Sequence, residues 1–173
     1  MKHCMECGRE LTEKYLENEG MIPYCENCKA FRFPMYNVAI STMVYSPDGK
    51  KILLIKQYGR DRNILVAGYV NKGEAAEHAL AREVMEEIGL TVTECCYNKS
   101  EYFEKSKTLM LNFACRADSD DLSHKTDEVD EAAWYTPEEA RKAICHDSLA
   151  ERFLLAWLGK REYYDPAFDT CQF

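Results

Sequence analysis

The sequence predicts an α/β domain, a mixed sheet with helices on its faces, behind a small cysteine-rich module. Three observations predict it. Strand-like apolar runs alternate with helix-patterned segments from residue 36 onward. Four of the nine cysteines fall within the first 28 residues, as Cys4-x2-Cys7 and Cys25-x2-Cys28. Between these regions the stretch "FRFP", residues 31–34, marks a change of periodicity, so the module is placed at 1–34 and the larger domain at 35–173.

The module comes first. Two C-x2-C knuckles separated by 17 residues aim four thiolates at one point, and a soft tetrahedral ligand set suits Zn2+. Gly8 fits the turn of the first knuckle, and "RELTEKYLENEGMIPY" reads as two short strands around a polar turn. So short a segment has almost no core, so the metal would supply its folding free energy. Two disulfides are the competing reading, and the compartment argues against them. The start "MKHCMECGRE" has no apolar stretch after its basic residues, so no secretory signal is expected, and nine cysteines then fit a reducing, cytoplasmic setting. Cys95, Cys96, Cys115, Cys145 and Cys171 show no metal spacing; Cys115 reads as buried strand filler.

In the larger domain, "YNVAISTMVYS" and "KILLIKQ" are strands around the turn "PDGK", and "NILVAGYV" is a further strand-like run. A helix is predicted from Ala75 to Ile88, closed by Gly89. Strands follow at "TVTECCYNKSEYF" and "TLMLNFACRA", then a short one at "AAWYT". "PEEARKAI" opens a helix on proline, and "DSLAERFLLAWLGK" is a second helix with Asp147 as its N-cap. No apolar run reaches the ~18 residues a membrane-spanning helix needs. The net charge of −8 argues against a broad basic nucleic-acid surface. It does not exclude phosphate substrates, because a bound divalent cation reverses the local field.

The segment from Gly68 to Leu90, "GYVNKGEAAEHALAREVMEEIGL", contains five glutamates. At helical spacing Leu80, Val84 and Ile88 form an apolar stripe, and Glu83, Glu86 and Glu87 share an adjoining arc about 100° wide. Ala76 and Ala79 lie on that acidic arc and leave room for a ligand. Like charges so close repel. Clustered carboxylates with open space suit Mg2+ or Mn2+, which bind substrate phosphates. On charge alone, a solvated acidic face explains them as well.

The full pattern resembles the Nudix box, G-x5-E-x7-R-E-U-x-E-E-x-G-U, matched at Gly68, Glu74, Arg82, Glu83, Val84, Glu86, Glu87, Gly89 and Leu90. The resemblance implies an α/β/α sandwich and metal-dependent hydrolysis of a diphosphate joined to a nucleoside. It also implies roles. Glu86 and Glu87 are the principal metal ligands, with Glu83 a further ligand or the general base. The Gly68 carbonyl and Glu128, or else Glu131, complete the cation site, and Glu74 with Arg82 form a bracing ion pair. The cysteine ribbon ahead of the box, with "TLMLNFACRAD" and "EVDEAAWY", is similar to the NADH pyrophosphatase subfamily.

Two departures stand out. Where that subfamily carries S-Q-P-W, this chain has Ser100, Glu101, Tyr102 and Phe103, which keep aromatic surface for stacking a base; an ordinary strand explains Tyr102 and Phe103 equally well. Many members also carry a domain ahead of the ribbon. The leading expectation is a dinucleotide such as NAD(H), cleaved to NMN and AMP, with ADP-ribose second. An RNA 5′-end hydrolase is disfavoured by the acidic balance, and a noncatalytic sensor by the complete set of box glutamates. No membrane partner is expected. The aromatic tail, with Tyr163, Tyr164, Phe168 and Phe173, is expected to pack on its own domain or on a second subunit, and a homodimer is expected.

Overall fold

A computed structural model describes residues 2–163, the last three as backbone only. The described residues divide into two compact units, with the boundary between Tyr36 and Asn37. The expectations for Tyr163, Tyr164, Phe168, Phe173 and Cys171 lie outside the described side chains.

The first unit is an antiparallel three-stranded sheet, β1 (Thr12–Leu16), β2 (Gly20–Cys25) and β3 (Ala30–Phe31). The polar hairpin between β1 and β2 was legible in the sequence. The two-residue β3, paired through Tyr24↔Phe31 and Cys25↔Ala30, is too short for periodicity to reveal. Of its described residues only Cys4, Tyr24 and Cys25 are buried. Gly8 takes a left-handed φ of 72° and its N–H donates to the Cys4 carbonyl at 2.8 Å, closing the first knuckle.

The second unit holds β4 (Asn37–Tyr45), β5 (Ile52–Gln57), β6 (Val66–Tyr69), α1 (Ala76–Ile88), β7 (Val92–Phe103), β8 (Thr108–Ala117), β9 (Val129–Tyr135), α2 (Pro137–Ala143) and α3 (Leu149–Tyr163). The sheet runs β7-β8-β4-β5-β9, with β6 also on β4; β4 and β8 are parallel and the other pairs antiparallel. Alternation along the central strands feeds two cores. Ile40, Val44, Leu53 and Ile55 face Leu80, Val84 and Ile88 of α1. Met43, Tyr45, Ile52 and Leu54 face Phe153, Leu154 and Trp157 of α3. Trp157 donates its indole N–H to the Tyr45 hydroxyl at 3.0 Å, so the largest buried ring keeps a polar partner.

Several element edges differ from the sequence reading. The run "NILVAGYV" is not one strand: Ile64 bridges Ile55 of β5, and only Val66–Tyr69 pairs along β4. β9 starts at Val129, three residues before the expected apolar "AAWYT", because its first half is charged and exposed except for Val129. The cap of α3 is Ser148, whose Oγ accepts from the Glu151 N–H at 3.0 Å, and not Asp147, which has φ 57°. Ala79 is fully buried and Ala76 packs against the same core, so neither leaves room beside the acidic arc. The buried face of α1 is wider than its Leu80–Val84–Ile88 stripe because it lies on a sheet. No helix of the described residues is long and apolar enough to cross a membrane.

Candidate active site

β4 and β5 pair only at Tyr45↔Ile52, and farther back along β4 the strand β6 takes the place of β5. This split opens a cavity of about 500 Å3 beside α1, bordered by Gly68, Arg82, Glu83, Glu87, Glu128 and Phe103 among others. The box therefore reaches one site from two sides, through the strand that carries Gly68 and through the helix that carries the glutamates.

Arg82 organises this site. Its guanidinium grips Glu74 through Nε and Nη2 at 2.8 and 3.0 Å, and Nη2 also donates to the Tyr69 carbonyl at 3.0 Å. Nη1 donates to Glu83 at 2.7 Å and to Glu86 at 2.9 Å. The Arg82 grip on Glu74, with the Asn71 N–H, holds the Glu74 carboxyl down at about 2. One arginine thus ties the loop after β6 to two of the clustered carboxylates.

The three glutamates occupy different surroundings. Glu86 is exposed, Glu83 is partly buried, and Glu87 is 4% exposed. Glu87 Oε1 accepts from Gln57 Nε2 at 2.8 Å, while Oε2 is buried with no hydrogen-bond partner. Burial, with added repulsion from Glu83, Glu128 and Glu86, pushes the Glu87 carboxyl up to about 7, against the pull of Gln57. A buried carboxylate oxygen without a donor is costly. Gly68 faces the same cluster, and a Cβ there would overlap the Glu83 carboxyl. An orphaned oxygen, the carboxylates Glu83, Glu87 and Glu128 bordering one cavity, and a backbone without a side chain in the way fit a hard cation with oxygen ligands, whereas Glu86 is not among the residues bordering that cavity.

Of the two candidates outside the box, Glu128 borders the cavity, whereas Glu131 pairs with Lys56 at 2.9 Å. Phe103 borders the cavity too. Tyr102 instead borders an adjoining cavity, also about 500 Å3, which shares Phe103 and Leu149 with the first. Glu101 is ion-paired to Arg152 of α3. Gln57 and Tyr58 at the end of β5 were not singled out from sequence. A polar residue ending an apolar strand carries no signal of its own.

The four-cysteine module holds a second candidate centre. The Sγ atoms of Cys4, Cys7, Cys25 and Cys28 all lie within 4.8 Å of one another, and all four are free thiols. Arg32 donates to Cys4 Sγ at 3.2 Å and holds that thiol down at about 6. The neighbouring Cys7 sulfur, with burial, pushes Cys28 up to about 12. The quartet therefore resists full ionisation without a cation, and its donor set fits Zn2+.

Comparison with known proteins agrees with this geometry. The family model for the NUDIX domain matches residues 35–156. Curated relatives named NAD-capped RNA hydrolase NudC are 34% identical over 137 residues in Shigella flexneri and 28% over 138 in Vibrio cholerae. Each match covers 78% of this chain, and 51% and 49% of the respective relative. The chain thus spans about half the length of the curated relatives it matches. Among solved structures, a NUDIX hydrolase from Nitrosomonas europaea aligns over 97% of this chain and 96% of its own, with TM-score 0.69 and 21% identity. A NUDIX-family hydrolase from Clostridium perfringens aligns over 75% and 99%, with TM-score 0.59 and 18% identity. These two likenesses speak to the fold. With a NUDIX domain matched over residues 35–156 and Gly68, Arg82, Glu83 and Glu87 of its motif bordering one cavity, the chain belongs to the Nudix hydrolase family.

Proposed function

We propose that this chain is a pyrophosphohydrolase that cleaves the diphosphate of a nucleoside diphosphate derivative, with an NAD(H)-like dinucleotide as the favoured substrate. The observation that carries this reading is the buried, donor-less Oε2 of Glu87 among Glu83, Glu86 and Glu128. Glu86, Glu87, Glu128 and the Gly68 carbonyl would hold Mg2+ or Mn2+, with Glu83 a further ligand or the general base. Bound there, such a cation neutralises the diphosphate and lowers the pKa of an attacking water.

The remaining work falls to the chain itself. Arg82 fixes the direction of Glu83 and Glu86, and Glu83 so held would be the carboxylate to accept a proton from water if it serves as the base. Gln57 holds one oxygen of Glu87 and leaves the other turned inward. Phe103 offers a flat apolar surface in the same cavity for a base, and Tyr102 offers one in the adjoining cavity. Zn2+ on Cys4, Cys7, Cys25 and Cys28 would be structural, since four protein ligands leave no open position.

The names of the curated relatives favour a second reading, that the dinucleotide is the NAD cap of an RNA. The bond cleaved would be the same. The acidic balance of the chain favours the free dinucleotide. Purified protein with Mg2+ or Mn2+ is offered NADH, ADP-ribose and an NAD-capped oligonucleotide. NMNH (reduced NMN) plus AMP from NADH, lost on adding EDTA, is expected. Turnover of none of the three would overturn the proposal, and a strong preference for the capped oligonucleotide would select the second reading.

A further inference from the structure

The turn between β5 and β6 places an aromatic ring at the mouth of the cavity in a backbone conformation that disfavours it. Tyr58 and Gly59 have φ of 62° and 63°, and the Arg60 N–H donates to the Gln57 carbonyl at 3.2 Å. Two successive left-handed residues inside such a bond make a type I′ turn, whose first central position goes to Asn, Asp or Gly. A tyrosine there is strained. Packing does not compensate: the side chain is 77% exposed, yet it borders the cavity that holds Gly68, Glu87 and Glu128.

The turn is tethered to the site on both sides. Gln57, just before Tyr58, holds Glu87. The Gly59 N–H donates to Asp130 Oδ2 at 2.7 Å, two residues beyond Glu128. Lys56 bridges Asp61 at 2.8 Å and Glu131 at 2.9 Å. The ring is thus carried by a braced turn whose position depends on the same strands as the carboxylates.

We propose that Tyr58 is a substrate-positioning and specificity residue whose ring stacks on the flat base of the nucleoside joined to the scissile diphosphate. The inference rests on the nucleotide reading above and adds, beside Phe103, a second ring in the same cavity to recognise a base. Strained residues gather at functional sites, where the fold holds a conformation that local sterics oppose. An exposed aromatic face beside a phosphate site is suited to a base, because every base has a π-face.

The test sets stability against affinity. Tyr58→Asn removes the ring and suits the left-handed backbone, while Tyr58→Phe keeps the ring. With NADH and Mg2+, Tyr58→Asn is expected to raise KM about 10-fold, the scale of losing a stacking partner, with kcat changed less than about 2-fold. Its metal-free melting temperature should hold or rise by about 2 °C. Tyr58→Phe should restore KM. Competitive inhibition by AMP or NMN should weaken with KM in Tyr58→Asn, whereas inhibition by inorganic phosphate, which has no base, should not. An unchanged KM, or phosphate inhibition weakened as much as that by AMP, overturns the inference while leaving the diphosphatase reading intact. If native protein turns over no diphosphate, the parent reading fails, and calorimetric titration with AMP and NMN still decides this one. Loss of binding in Tyr58→Asn supports it; no binding to native protein, or equal binding by both, overturns it.

Discussion

The chain carries two clusters fit for a cation, and they are built in opposite ways. In the cysteine module the ligands are nearly the whole interior: Cys4 and Cys25 are two of the three buried described residues, with Tyr24 the third. In the larger unit the carboxylates sit on a helix already anchored by Leu80, Val84 and Ile88 in a two-sided core. We infer that the first site would depend on a metal to fold, whereas the second carries its candidate ligands on a fold that stands without one. A cation would close one structure and relieve repulsion in the other.

That contrast breaks most readily at the cysteines. One zinc per chain is expected by elemental analysis, and Cys25→Ser should abolish order in the module. Structural zinc sites of this kind bind with apparent free energies of about 10–16 kcal/mol, far above what three buried residues supply. Amide exchange should show residues 2–36 unprotected in that variant, with protection in β4, β5 and β8 unchanged. Collapse of both units together would show that the larger unit does not stand alone.

The opposite experiment is Glu87→Gln. The amide keeps the shape and can keep the Gln57 contact, but the charge is gone. We expect kcat to fall on the order of 10²-fold or more, because a metal's transition-state stabilisation is worth several kcal/mol. Melting of the metal-free protein should occur at the same or a higher temperature, since a buried, repelled carboxylate has been removed. A folded Glu87→Gln enzyme with near-native turnover would reduce the cluster to charged surface.

Gly68→Ala tests how closely strand and helix must approach. A Cβ at this position overlaps the Glu83 carboxyl, so Glu83 must move or β6 must shift. A stability loss of about 1–3 kcal/mol, the usual cost of overpacking, is expected in urea unfolding, together with lower activity. Native stability in the alanine variant would show that Glu83 moves away without cost.

The smallest effect concerns the brace. Glu74 titrates at about 2 in the folded protein against an ordinary 4.5, because Arg82 and the Asn71 N–H stabilise its charged form. A lowered folded value means that the contribution is present above about pH 4.5 and is lost as pH falls toward 2. Glu74→Gln should therefore have a lower urea midpoint than native protein at pH 6, and the two should converge as the pH drops through that window. Curves separated equally at every pH would assign the difference to packing instead of charge.

Much of this was legible in the residues. The spacing of Cys4, Cys7, Cys25 and Cys28 announced one cluster, because two knuckles of fixed geometry can aim four sulfurs at a point wherever they stand. The series from Gly68 to Leu90 announced the other, and Gly89, with φ 75°, closes α1 where its position implied. Helical periodicity is local, so it survives into the fold. What periodicity could not give was depth. Glu83, Glu86 and Glu87 share one arc of α1, yet one is exposed, one is partly buried and one is buried without a donor.

The sequence by itself determined the motif, the order of strands and helices, and the identity of the candidate ligands, because spacing along a chain fixes which side chains share a knuckle or a helix face. Only the tertiary structure decided that β6 replaces β5 beside β4, and this opens the cavity. It also decided that Gln57 meets Glu87, that Glu128 borders the cavity while Glu131 pairs with Lys56, and that Tyr58 stands at the rim. These facts depend on contacts between residues distant in sequence. Such contacts are set by sheet register and by which face each element buries, and neither is written in any single stretch of the chain.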